Sequence, residues 1–141
     1  MGKVVVGLSR TAAAAGALRW AVERAVERAL ALDIVTAVPI PVPIAAPVGT
    51  LAVVPDRERL VRAARREQDQ LLRQVIAEVG EPPEIRRTVA CGDPFHVLQQ
   101  AAEDAELVVL GPSKRRLLPL AKRCRRRLDC PVVVVTDGHP E

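Results

Sequence analysis

A chain of 141 residues with a formal net charge of +4 has the length of one domain, and it can bury roughly 70% of its unfolded surface. We therefore expect residues 1–141 to form a single domain. Only Trp20 and Phe95 are aromatic, which excludes nucleic-acid modules that stack bases on several aromatic side chains. The charged fraction of 27% is ordinary for a globular protein and excludes a disordered chain.

The cysteines and the first residues bear on the compartment. Cys91, Cys124 and Cys130 have spacings that fit neither a disulfide framework nor a zinc site, which favours a reducing cytosol. The chain begins without a targeting pattern. Between Asp33 and Asp56 it is uncharged and mostly apolar, but its prolines exclude a membrane-spanning helix.

The first third of the chain predicts a strand, a helix and a second strand. The strand covers Val4–Val6, and a turn at 7–11 leads into a helix whose apolar residues recur at helical spacing to about Leu32. Asp33 ends this predicted helix, and Ile34–Val38 forms the second strand.

The middle of the chain predicts a long loop, a helix and an edge strand. Residues 39–55 are rich in proline and form the loop, for which a lid or partner surface and a plain connection are equally favoured. Asp56 is the expected N-cap of a helix that stops at Gly80. Ile85–Cys91 alternates apolar and polar residues, but Arg87 interrupts the apolar side, so we expect an edge strand.

The last third repeats the alternation. Residues 92–94 open a helix predicted through Ala105, and Leu107–Leu110 is a short apolar strand. A turn at 111–113 leads to a helix over Leu117–Leu128, and Val132–Val135 forms the fifth strand. Alternating helices and apolar strands predict an α/β fold with a parallel sheet covered on both faces. Ligands in such folds bind beyond the carboxyl ends of the strands, where the strand order reverses.

Several segments resemble the universal stress protein family. They are VVGLSRT at 5–11, ALRWA at 17–21, GDP at 92–94, AAEDAELVVLG at 101–111 and DCPVVVV at 129–135. They cover nearly the whole chain in the family's order. The resemblance implies a three-layer, Rossmann-like sandwich, like that of the adenine nucleotide alpha hydrolases, with a five-stranded parallel sheet of order 3-2-1-4-5. It also implies ATP or AMP as the candidate ligand.

The family's nucleotide motif is altered in this chain. Nucleotide-binding members carry an Asp in the first turn where this chain has Ser9, and the motif's second glycine falls on Lys114. Glycines there allow backbone N–H groups to approach phosphate oxygens. We therefore predict a degenerate nucleotide- or anion-binding site formed by Gly7, Ser9, Thr11, Val38, Gly111, Ser113, Lys114 and Arg115.

Eight cations occupy positions 114–127. This segment predicts either a solvated helix face or a surface for polyanions, and the solvated face is favoured. Near the site, Lys114 and Arg115 also offer side-chain donors for a small anion in place of the missing glycines. No pattern supports sequence-specific nucleic-acid binding.

Other reactive side chains have structural interpretations. Cys124 lies among cations that would lower its pKa, but its place on an apolar helix face favours packing. His139 lies in a short polar tail, and neither it nor His96 has metal-ligand neighbours, so no metal site is expected.

Val132, Val133, Val134 and Val135 form an uncharged strand that the implied order places at the sheet edge, where a partner is needed. The family's homodimer through the last strand would supply one. The sequence thus predicts a cytoplasmic, dimeric, non-enzymatic stress-response protein with weak or absent ATP binding. A nucleotide binder with weak hydrolysis and a polyanion- or partner-binding module are the alternatives.

Overall fold

The computed structural model describes residues 2–8, 14–38, 56–111, 117–136 and 139–140. Helices and strands alternate along these ranges, as the sequence predicts. The elements are β1 Lys3–Gly7, α1 Ala14–Arg28, β2 Ala31–Val38, α2 Arg57–Val79, β3 Ile85–Cys91, α3 Pro94–Ala101, β4 Ala105–Leu110, α4 Leu117–Arg127, β5 Val132–Thr136 and β6 His139–Pro140. The proline-rich segment 39–55 lies outside the described residues.

The strands form one sheet in the order β3-β2-β1-β4-β5-β6. Neighbouring strands from β3 to β5 are parallel, which confirms the predicted order 3-2-1-4-5. β6 adds an antiparallel pairing that the sequence does not predict, with Val135 opposite Pro140 and Thr136 opposite His139. His139 therefore belongs to a short strand rather than to a free tail, and the sheet continues past β5.

Two apolar cores lie on opposite faces of the sheet, because successive residues of a strand point to opposite sides. Val4 and Val6 of β1 pack with α1 and α2, while Val5 packs with α3 and α4. All three valines are fully buried. Helices thus cover both faces, as predicted.

Two helix ends differ from the prediction. α1 ends at Arg28 rather than near Leu32, because Ala29 adopts a left-handed φ of 54° and turns the chain. Asp33 consequently lies inside β2, paired in register with Val5. α3 ends at Ala101 rather than at Ala105, which begins β4.

The predicted caps of α2 are present. The Asp56 side chain accepts a hydrogen bond from the Glu58 backbone N–H at 3.0 Å, which satisfies one free donor of the first turn. Gly80 follows the helix with a φ of 117°, a conformation that favours glycine. The predicted edge strand is also confirmed, because β3 is the first strand of the sheet and exposes Arg86 and Arg87.

Candidate functional site

The candidate site lies where β1 and β4 end side by side. Gly7 pairs in register with Leu110 at the carboxyl ends of these parallel strands. α1, which follows β1, packs on one face of the sheet, and α4, which follows β4, packs on the other. The connections therefore diverge at this point and leave a crevice, which is the position expected for a ligand in this type of sheet.

The crevice contains an apolar cavity of ≈ 110 Å³. Among the described residues, no charged side chain lines it. The lining residues are Gly7, Leu8, Val35, Ala37, Pro94, Leu98, Leu110 and Leu120. Their side chains offer van der Waals contact, so polar recognition at this wall falls to backbone groups.

Gly7 keeps the cavity open because it has no side chain. A Cβ at this position would lie 3.0 Å from Leu110 Cδ2 and 3.1 Å from Leu98 Cδ2. These contacts are tighter than ordinary packing distances. A larger residue at position 7 would therefore displace the two leucines or shrink the cavity.

The end of β2 is tied to the start of α3. The Val38 carbonyl accepts a hydrogen bond from the Gly92 N–H at 3.0 Å, and Gly92 has a φ of 143°, which favours glycine. This turn leads through Asp93 to Pro94, which lines the cavity. The Val38 carbonyl at the site thus already accepts one protein hydrogen bond.

The predicted site residues divide into two sets. Gly7 and Val38 end neighbouring strands, and Gly111 lies buried directly after β4. The other five predicted positions lie outside the described residues; they are Ser9, Thr11, Ser113, Lys114 and Arg115. The sequence does not predict Pro94, Leu98 and Leu120 as site residues, because they reach the cavity from helices rather than from turns.

An arginine beside the site has partners that the sequence does not predict. Arg123 of α4 lies 3.4 Å from Asp93 Oδ2, and its Cζ lies 4.2 Å from the ring centroid of the buried Phe95. His96 Nδ1 lies 3.7 Å from the same Asp93 oxygen. Arg123 thus joins α4 to the first turn of α3, whereas the favoured solvated-face interpretation treated it as a solvent-facing cation.

Cys124 is fully buried, which confirms its packing role. Burial raises the pKa of its thiol to about 11, and the nearby Arg123 opposes this shift only in part. The idea that surrounding cations activate Cys124 as a thiolate is therefore wrong. Burial also raises the pKa of Cys130.

The described ranges offer neither a metal site nor a membrane-spanning helix. They contain no cluster of three or more His, Cys, Asp or Glu side chains that could hold a metal ion. Over the same ranges, none of the helices combines the length and the apolar character that crossing a membrane requires.

The sheet order and the crevice between β1 and β4 define a Rossmann-like α/β protein. The family model described as "Universal stress protein family" matches residues 1–136. The chain therefore belongs to the universal stress protein family, as its sequence motifs predict.

Solved structures of universal stress proteins share this fold. One, a complex with cAMP, is 20% identical and covers 96% of each chain with a TM-score of 0.67. A protein from Archaeoglobus fulgidus in complex with dAMP is 19% identical, covers 95% of this chain and 97% of its own, and has a TM-score of 0.68. A family protein from Arabidopsis thaliana with AMP bound is 15% identical, with coverages of 96% and 92% and a TM-score of 0.61. No curated protein matches the chain.

Proposed function

We propose that this protein is a non-enzymatic, single-domain universal stress protein whose site between β1 and β4 binds ATP weakly or not at all. The observation that carries the proposal is the small apolar cavity at Gly7 and Leu110, which has a volume of ≈ 110 Å³. Pockets for drug-sized ligands span roughly 300–1,000 Å³ and include a few polar groups that fix the ligand's orientation. The described walls of this cavity supply neither that volume nor such side chains.

The sequence of the two turns that would contact a nucleotide supports the same conclusion. Lys114 stands where the family motif has its second glycine. A lysine carries a Cβ and restricts the backbone, so it disfavours the close approach of N–H groups to a phosphate that glycine permits. Ser9 replaces the family's Asp in the first turn and lacks the charge of that residue.

Calorimetric titration with ATP and AMP at near-physiological salt tests this proposal. We expect dissociation constants in the millimolar range or no heat of binding. Variant Lys114→Gly restores a glycine and, if the altered motif limits binding, should bind ATP more tightly than the native chain. Micromolar affinity of the native chain for ATP would contradict the proposal.

The second candidate is a nucleotide-binding protein with weak hydrolysis. It is favoured by the relatives of the same fold that are described with cAMP, dAMP and AMP. Lys114 and Arg115 follow β4 closely in the sequence and would hold phosphate oxygens in place of backbone donors. This candidate predicts that Lys114→Gln with Arg115→Gln weakens ATP binding and slows phosphate release.

A third candidate is polyanion or partner binding through residues 114–127. Lys122, Arg126 and Arg127 are exposed on α4, and such a charge density attracts phosphates. Substitution of Arg123, Arg125, Arg126 and Arg127 by Gln should then abolish binding to heparin. Retention of heparin binding in that variant would exclude this candidate.

We further propose a homodimer through β5. Val132, Val133 and Val134 are only partly buried, and the pairing with β6 involves Val135 and Thr136, so the first part of the strand keeps an unpaired edge within the described sheet. Variant Val133→Lys should then be a monomer by light scattering, because a charge at this edge opposes pairing. An unchanged mass would contradict the interface.

We also propose that the protein is cytoplasmic. Its three cysteines are all unpaired, as is usual where glutathione and thioredoxin keep thiols reduced. Fractionation of the native cells with an antibody against the protein tests this assignment.

A further inference from the structure

The first half of α2 carries an unusual concentration of arginine. Residues 57–66 contain five arginines and one acidic residue, Glu58. Four of these arginines, together with Leu60 and Ala63, line an open groove of ≈ 700 Å³. We call this surface the α2 arginine groove; its arginines are Arg59, Arg62, Arg65 and Arg66.

This arrangement is unfavourable for the helix itself. Arg62 lies three residues from both Arg59 and Arg65 and four from Arg66, and residues at these spacings are neighbours on a helix surface. Like charges there repel. Arg59 also lies in the first turn of α2, where the positive end of the helix dipole disfavours cations. A cluster of like charges that opposes helix formation is expected where a ligand compensates for it, so this surface points to a ligand.

Six other arginines of the described structure have acidic partners, and the four groove arginines do not. Over the residues that the structure describes, none of the four forms an ion pair with a carboxylate. Elsewhere such pairs are common: Arg19–Glu78, Arg24–Glu27, Arg73–Asp69, Arg86–Glu84, Arg87–Asp69 and Arg123–Asp93. Residues 39–55, the segment that leads toward α2, contain no charged residue and add no carboxylate.

We propose that the α2 arginine groove binds a linear polyphosphate anion. Guanidinium groups match phosphate oxygens with paired N–H donors, and Arg59 and Arg66 are about 10 Å apart along the helix axis. An extended chain of phosphates can reach all of them. No aromatic side chain is among the groove's described lining residues, which favours a phosphate chain without bases over single-stranded nucleic acid.

The test compares binding of inorganic polyphosphate to three forms of the full chain at low and physiological salt. They are the native protein, the groove variant Arg59→Gln/Arg62→Gln/Arg66→Gln, and the control variant Lys122→Gln/Arg126→Gln/Arg127→Gln. Both variants remove three exposed cations. We expect the groove variant to bind at least about tenfold more weakly and the control to stay within about threefold of the native affinity.

A nucleic-acid competitor and the melting temperature provide two further measurements. A single-stranded oligonucleotide of equal charge should bind more weakly than polyphosphate, and tighter oligonucleotide binding would overturn the assignment. The groove variant should melt at the native temperature or above it, because like-charge repulsion is removed. A lower melting temperature, equal losses in both triple variants, or no polyphosphate binding by the native chain at low salt would each refute the proposal.

Discussion

Replacing Arg123 by Gln should destabilise the protein, although Arg123 is one of many surface cations. Its guanidinium lies over the Phe95 ring at 4.2 Å and 3.4 Å from Asp93. A cation–π contact at an exposed site contributes about 0.5–1 kcal/mol, and a half-exposed ion pair contributes about 0.2–1 kcal/mol. Together they predict a loss of about 1 kcal/mol in the free energy of unfolding, or about 4 °C in melting temperature for a chain of this length.

Urea unfolding of Arg123→Gln and of the control Arg126→Gln measures this difference. The control should lie within about 0.5 kcal/mol of the native protein, as is usual for surface substitutions. In a Phe95→Leu background the ring contact is already absent, so Arg123→Gln should cost about 0.5–1 kcal/mol less there than in the native chain. Screening at about 1 M salt should weaken only the ion-pair part. Equal losses for the Arg123 and Arg126 variants, or a coupling of zero with Phe95, would refute the assignment.

Three other predictions concern the buried groups Asp33 and Cys124 and the helix cap Asp56. Burial raises the pKa of Asp33 above its usual 3.8. The free energy of unfolding should therefore fall as pH rises from 3.8 through the raised value and then level off. Urea unfolding of the native protein across this pH range should show this fall, and urea unfolding of Asp33→Asn should lack it. The pKa of Cys124 is about 11 against an ordinary 9.0, so Cys124 should have roughly 100-fold less thiolate than a free cysteine. Mass spectrometry should therefore find iodoacetamide on Cys91 well before Cys124. Equal labelling of the two cysteines in the folded protein would contradict this. Asp56→Ala removes the cap of α2 and should cost about 1 kcal/mol in urea unfolding; an unchanged midpoint would show that the cap contributes nothing.

The sheet was predictable because its strands are short, apolar and separated by amphipathic helices. The ends of the helices and strands were harder to predict where the same residues fit both a helical and a strand pattern. Leu30 and Leu32 fit both the helical spacing of α1 and the alternation of β2, and the left-handed turn at Ala29 has no glycine to mark it. The pairing of β6 was also hidden, because His139 and Pro140 are too short a segment to carry a strand pattern.

The sequence predicts only those described site residues that lie at the ends of strands. Gly7 and Val38 end adjacent strands, so strand assignment alone brings them together. Leu98 and Leu120 belong to α3 and α4 and meet over the end of the sheet through tertiary packing. Arg123 and Asp93 are 30 residues apart, and no local pattern links them.

The cations of α2 and α4 have opposite relations to their helices, although the two segments look alike in composition. Arg125, Arg126 and Arg127 fill the last turn of α4, where the negative end of the helix dipole favours them. Arg59 lies in the first turn of α2, where the dipole opposes it, and Arg62, Arg65 and Arg66 lie at spacings where like charges repel. Helix stability therefore accounts for the three last-turn arginines of α4 and leaves the groove arginines of α2 unexplained. For this reason a polyanion is better sought at the α2 arginine groove than at the denser basic segment 114–127.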